Sequence, residues 1–194
     1  MVAAIFMDRD GTLNEDTGFI SKPEDLVIYP WAAEAVRLIN EAGMKAIVVT
    51  NQSGIARGFY SEEMLGFIHE RLVRDLKRGG AHLDAIYYCP HHPDSADERY
   101  RISCDCRKPL PGMLRRAARE HGVDLESSFV VGDKPSDLEL ARNAGARSAL
   151  VLTGRGRQTA ESLIAAPSKP DLIAADLLEA VRLILDRVGL QGIR

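Results

Sequence analysis

Six short apolar runs recur along the chain, each rich in aliphatic residues and each closed by polar or turn-forming ones. They are "VAAIFMD" (2–8), "KAIVVTN" (45–51), "LDAIYYC" (83–89), "SFVVGD" (128–133), "SALVLT" (148–153) and "PDLIAA" (170–175). Runs of this length without strict alternation are the pattern of strands buried on both faces. Between them the apolar residues recur at three- and four-residue spacing. "WAAEAVRLINEAG" (31–43), "SEEMLGFIHERLVRDLKRGG" (61–80), "PGMLRRAAREHG" (111–122), "PSDLELARNAG" (135–145) and "DLLEAVRLILDRV" (176–188) therefore read as helices. Their starts carry Ser or Pro and several end at Gly, as capping preferences require. Strands alternating with helices build a parallel sheet covered by helices on both faces. No internal repeat, low-complexity segment or linker interrupts the pattern, so residues 1–194 are expected to form one α/β domain.

Composition narrows the class. The chain has 194 residues, 45% of them hydrophobic, enough for one substantial core. Its net charge of −3 leaves no basic stripe for nucleic acid. No apolar stretch approaches the ~20 residues of a membrane helix. "MVAAIFMDRDG" meets charge at once and lacks a basic leader, so a signal peptide is not expected. All three cysteines lie between residues 89 and 106. An odd number of thiols without an export signal points to a reducing cytoplasm, where such a cluster suits a metal better than disulfides.

In a parallel sheet, ligands bind beyond the carboxyl ends of the strands. Those ends carry Asp8 and Asp10, Thr50 and Asn51, Cys89, and Asp133. "FMDRDGTLN" alone could be a turn rich in Asp and Asn. A further carboxylate at the equivalent end of "VVGDKPSD" changes that reading. Gathering like charges costs several kcal/mol unless a cation lies between them. A few carboxylates plus water are what Mg²⁺ accepts. The second cluster has different chemistry. Cys89, His91, Cys104 and Cys106 offer three thiolates and an imidazole, a closed tetrahedral set for Zn²⁺ with no position left for water. Spacing also admits His92, while Pro90 and the i, i+2 relation favour His91. A closed set makes this zinc structural, holding a loop over about 89–107 that leads into Arg107 and Lys108.

"DRDGT", then Thr50, then Lys108, then "GDKPSD" resemble in order the four motifs of the haloacid dehalogenase-like (HAD) phosphatases. The resemblance spans nearly the whole chain and implies a Rossmann-like fold. It implies that Asp8 is the nucleophile forming an aspartyl-phosphate, and that Asp10 is the general acid and base. It further implies Mg²⁺ held by Asp8, the backbone carbonyl of Asp10 and Asp133. Thr50 and Lys108 would stabilise the phosphoryl group, with Asp137 behind the ligands and Lys134 touching substrate.

"TNQSGIARG", "YYCPHHP" and "CDCRKPLPGM" narrow the resemblance to the zinc-loop branch of that family, the heptose bisphosphate phosphatases, with histidinol-phosphate phosphatases as the alternative. The connections are too short for a cap domain, so a capless enzyme is expected. The branch implies a small phosphorylated sugar as substrate and removal of a 7-phosphate in lipopolysaccharide core precursor synthesis; a monomer is expected. A zinc-stabilised binding module is disfavoured by the intact set of Asp8, Asp10, Lys108 and Asp133. Substrate contacts carry over to Asp16, Thr17, Gly18 and Phe19, to Thr50, Asn51, Gln52 and Ser53, to Arg107 and Lys108, and to Lys134. "DTGF" departs from the branch's "DHGY"-type pattern at Thr17 and Phe19. Arg107 is the candidate reader of the retained phosphate, with pairing to Asp105 as the bland alternative. Trp31 reads as packing, and His69, His82 and His121 as groups away from the motifs. "TGRGRQ" (153–158) reads as a turn or a phosphate contact.

Overall fold

The computed structural model describes residues 1–164 and 169–189. All six apolar runs form strands: β1 (Ala4–Met7), β2 (Lys45–Asn51), β3 (Ala85–Cys89), β4 (Phe129–Gly132), β5 (Arg147–Val151) and β6 (Leu172–Ala174). Every pairing is parallel and the order across the sheet is β3-β2-β1-β4-β5-β6. β1 and β4 are buried at every position, which is why their sequences do not alternate.

The helices are α1 (Ala32–Glu41), α2 (Glu62–Arg78), α3 (Gly112–His121), α4 (Pro135–Ala144), α5 (Gly156–Ser162) and α6 (Leu177–Arg187). Side chains of β1 point alternately to the two faces. Ile5 and Met7 pack with Val36, Ile39, Leu72, Val181 and Ile184 from α1, α2 and α6. Ala4 and Phe6 pack with Met113, Leu114 and Leu140 from α3 and α4. Burying each large apolar side chain contributes about 1.5–3 kcal/mol, so the two apolar layers hold the strand ends rigidly. Helix ends follow local chemistry. Ser61 Oγ accepts from the amide of Met64 at 3.1 Å at the start of α2. α3 and α4 end at Gly122 and Gly145, both in the left-handed region at φ +64° and +76°. Among the described residues, a 3-10 turn at Pro23–Asp25 and one α-helix, α5, lie outside the expected helices. α5 is a single short helix built from the second half of "TGRGRQ" and the residues after it.

The chain runs outward from β1 to β2 and β3, then returns to β4 on β1's other side. Neighbouring strands that diverge in this way leave a crevice above their carboxyl ends. Asp8 follows β1 and Asp133 follows β4, so the fold brings the two carboxylates together across a separation of more than a hundred residues. Among the described residues no helix is long and apolar enough to cross a membrane.

Candidate active site

Asp8 continues β1 by donating its amide to the carbonyl of Val131 at 2.9 Å. The chain then turns sharply: the carbonyl of Arg9 accepts from the amides of Thr12, Leu13 and Asn14. Gly11 lies at φ +92°, and a side chain there or at Gly154 would collide with the Asp133 carboxylate. Two glycines thus let Asp133 approach the β1 turn closely.

Two lysines divide the Asp8 carboxylate between them. Lys108 Nζ is 2.9 Å from Oδ1 and Lys134 Nζ is 3.4 Å from Oδ2. Burial pushes the Asp8 carboxyl up, but Lys108 and Lys134 outweigh it and hold it at about 2. It is therefore an anion at neutral pH. Lys108 is fixed from several sides: its Nζ pairs with Asp137 at 2.7 Å and donates to the carbonyl of Val49 at 3.0 Å. Its backbone is clipped by Asn51, whose Oδ1 accepts from the Lys108 amide at 3.0 Å and whose Nδ2 donates to its carbonyl at 3.2 Å. Lys134 caps α4, with its amide donating to Asp137 Oδ2 at 3.0 Å. Burial works against the charge on each lysine, and the surrounding aspartates override it.

The donors expected for Mg²⁺ converge. Lys134 Nζ donates to the carbonyl of Asp10 at 2.9 Å and lies 3.5 Å from Asp133 Oδ1 as well as 3.4 Å from Asp8 Oδ2. An ammonium group thus already sits among the three oxygens assigned to the metal. Asp133 Oδ1 is buried with no hydrogen-bond donor. Burial pushes the Asp133 carboxyl up to about 7 against the pull of Lys134, and repulsion from Asp8 adds to it. Hard oxygens crowded in this way fit Mg²⁺. Asp137 lies in the same carboxylate group, but Lys108 engages it.

Cys89, His91, Cys104 and Cys106 bring their donor atoms within 4.8 Å of one another. Cys89 Sγ is 3.7 Å from Cys104 Sγ and 3.6 Å from His91 Nδ1, and Cys106 Sγ is 3.3 Å from His91 Nδ1. Zn–S bonds of about 2.3 Å in a tetrahedron give edges near 3.8 Å, so the spacing fits zinc. It is far beyond the ~2.05 Å of a disulfide. The thiols polarise one another. A hydrogen bond from Cys89 pulls the Cys106 thiol down to about 5, while the same contact and burial push Cys89 up. His91 belongs to this group and His92 does not.

A pocket of about 450 Å³ opens above Asp8 and Asp10. Asp16, Gly18, Phe19, Asn51, Gln52, Ser53, Arg107, Lys108 and Lys134 line it. Thr17 does not, and its side chain is exposed. Thr50 is buried at the strand end, its hydroxyl oxygen accepting from Gln52 Nε2 at 2.8 Å. Asp133 lies fully buried. Arg107 donates to the carbonyl of His91 at 3.0 Å and forms no ion pair with Asp105 among the described residues. The pocket also contains Arg57, Tyr60 and Ser136, which sequence reading did not single out, His92, weighed there only as a zinc donor, and Arg155. Arg155 comes from "TGRGRQ", whose backbone closes on the site through the Arg155 amide and Asp133 Oδ2 at 2.8 Å. His69 was expected to lie away from the motifs, but its Nε2 is 3.5 Å from Arg9 Nη1. α2 packs beside the β1 turn, and linear spacing gave no sign of that approach.

A doubly covered parallel sheet with an ionised aspartate between two lysines at its central crevice defines a hydrolase of the HAD-like class. Comparison with known proteins agrees. The HAD-hydrolase-like family profile matches residues 105–180. The D-glycero-D-manno-heptose-1,7-bisphosphate 7-phosphatase of Thermosynechococcus vestitus is 45% identical over 187 residues, covering 93% of this chain and 94% of the relative. The D-glycero-beta-D-manno-heptose-1,7-bisphosphate 7-phosphatase of Escherichia coli K12 is 42% identical over 156 residues, covering 79% and 81%. The crystal structure of D,D-heptose 1,7-bisphosphate phosphatase from B. bronchiseptica, complexed with magnesium and phosphate, superimposes with a TM-score of 0.85 at 36% identity, covering 96% and 99%. The chain belongs to the heptose-1,7-bisphosphate 7-phosphatase family of HAD-like hydrolases.

Proposed function

We propose that this protein removes the 7-phosphate from D-glycero-D-manno-heptose 1,7-bisphosphate through an aspartyl-phosphate on Asp8, as a step in making lipopolysaccharide core precursors. The observation that carries this reading is the Asp8 carboxylate, buried, ionised and shared by Lys108 and Lys134 at the floor of a polar pocket. Mg²⁺ held by Asp8, Asp133 and the Asp10 carbonyl supplies, when bound, a positive charge that offsets repulsion between the nucleophile and an anionic phosphate. Asp8 attacks phosphorus, and the bond to the sugar oxygen breaks as that oxygen takes the proton of Asp10. Asp10, now a carboxylate, deprotonates the water that attacks the acyl-phosphate, and Asp8 is released as a carboxylate. Lys108 and Thr50 stabilise charge on the phosphoryl oxygens.

The zinc set acts through position. Lys108 follows Cys106 by two residues, so an ordered loop delivers it to Asp8. We assign the protein to the cytoplasm, where its thiols stay reduced. The rim supports a bisphosphate over histidinol phosphate. Arg57, Arg107 and Arg155 line the pocket; they attract a second phosphate and repel the ammonium of histidinol phosphate. Steady-state kinetics on both heptose bisphosphate anomers, histidinol phosphate and fructose bisphosphate test this. The highest kcat/KM should fall on a heptose bisphosphate. A preference for histidinol phosphate would refute the substrate assignment.

A further inference from the structure

Arg9 stands between the two motif aspartates and is 1% exposed, the largest of the fully buried side chains. It does not line the pocket. Its guanidinium turns back on its own neighbour: Nε donates to Asp10 Oδ1 at 2.9 Å, and Nη2 donates to Oδ1 and to Oδ2, both at 2.8 Å. The remaining nitrogen, Nη1, faces His69 Nε2 at 3.5 Å. His69 is held down at about 3 by burial and by the Arg9 charge, so it stays neutral and meets the guanidinium as an acceptor. The backbone of Arg9 also reaches the other aspartate, its amide donating to Asp8 Oδ1 at 2.7 Å. Arg9 therefore holds both carboxylates and offers nothing to a ligand.

Two further donors complete the grip on Asp10. Asn14 Nδ2 donates to Oδ1 at 3.0 Å and Gln52 Nε2 to Oδ2 at 2.9 Å. Gln52 is itself fixed by the Tyr60 hydroxyl, which donates to its Oε1 at 2.7 Å. A buried ion pair seldom stabilises a fold more than an apolar pair of equal volume. A planar fork, by contrast, fixes the plane of a carboxylate, which a lysine's single ammonium does not.

We propose that Arg9 is the positioning residue for Asp10, fixing the plane and place of its carboxyl group beside the departing sugar oxygen. This rests on the assignment of Asp10 as general acid. The test compares kcat/KM, which stops at phosphoryl transfer, for the heptose bisphosphate and for 4-nitrophenyl phosphate. The sugar alkoxide needs a proton to leave; nitrophenolate does not. Arg9→Lys should lower kcat/KM for the sugar by about 10-fold to 100-fold, a share of what general acid catalysis supplies, and that for 4-nitrophenyl phosphate by less than about 3-fold. Asp10→Asn, run alongside, should show the same split more strongly. If Asp10→Asn shows no split, the acid assignment itself fails. If Asp10→Asn shows it and a folded Arg9→Lys loses equally on both substrates, Arg9 is a structural ion pair and the proposal is overturned. Arg9→Met provides a second variant, expected to show the same split. Failure of both Arg9 variants to fold would likewise assign the residue to the fold and overturn the positioning role.

Discussion

The carboxylate–lysine site and the thiol–imidazole cluster are both groups of metal-binding residues, yet they are built in opposite ways. Cys89, at the end of β3, and His91, Cys104 and Cys106, from the connection after it, lie within eighteen residues and meet as a closed set of donors. Asp8, Asp133 and Asp137 come from the ends of two central strands and the helix that follows the second, and they are held together against their own repulsion by Lys108 and Lys134. The first group needs one strand end and the loop that follows it. The second needs the whole sheet, and one side of it opens on a pocket. A closed set leaves nothing for a substrate to bind, whereas an open one keeps its charge available for chemistry. We assign support to the closed group and catalysis to the open one, and variants on the two sides should then fail differently.

The largest effect belongs to the open site. Asp8→Asn should reduce kcat by at least about 10³-fold, since an amide is a poor nucleophile, while thermal denaturation shows a folded protein. Cys104→Ser should do something else: zinc content by elemental analysis should fall together with thermal stability, and activity should drop by about 10-fold to 100-fold. Full activity in a zinc-free protein would remove the link between the loop and Lys108.

The same division explains what could be read from sequence. The cysteine cluster was legible because its members are close along the chain and their residue types are scarce. Asp8, Asp10 and Asp133 were legible as candidates because each terminates or follows an apolar run whose direction in the sheet is fixed by topology, and Lys108 because it follows the cysteine cluster in motif order. Arg9 was not. Two-residue periodicity puts it on the side opposite Asp8 and Asp10, and only the turn at Gly11 and the packing of α2 bring its guanidinium back to Asp10. Tyr60 and Arg57 lie in a loop whose path depends on distant packing. α5 escaped because seven residues opening on glycine carry no clear apolar period.

Arg107 tests the rim rather than the floor. Arg107→Ala should lower kcat/KM for the bisphosphate by about 10-fold to 100-fold, the loss of a charged hydrogen bond worth ~1.5–3 kcal/mol. A sugar monophosphate should be nearly unaffected. Equal losses would move Arg107 into the electrostatics of the reacting phosphate.

The smallest effect concerns acid stability. His69 faces Arg9 and the edge of the Tyr88 ring and is held neutral to about 3, whereas an unfolded histidine titrates near its ordinary value of 6.5. Between these values the unfolded chain binds a proton that the native chain refuses. Stability present above about pH 6.5 is therefore lost as pH falls toward 3. Tm measured from pH 7 to pH 5 should fall less steeply in His69→Gln than in the parent, by a few °C. Cys104→Ser should keep this contribution, because it belongs to the strand-end region and not to the zinc loop.

Chemical trapping on Asp8 tests the division most directly. The protein is quenched with acid during turnover of the heptose bisphosphate with Mg²⁺, then reduced with borohydride, which converts an acyl-phosphate to an alcohol. Peptide mass spectrometry should find homoserine at position 8 and nowhere else, in the parent and, at lower yield, in Cys104→Ser. Rapid turnover with Asp8 unmodified, or with the label on another residue, would contradict the assignment of the chemistry to the open carboxylate site.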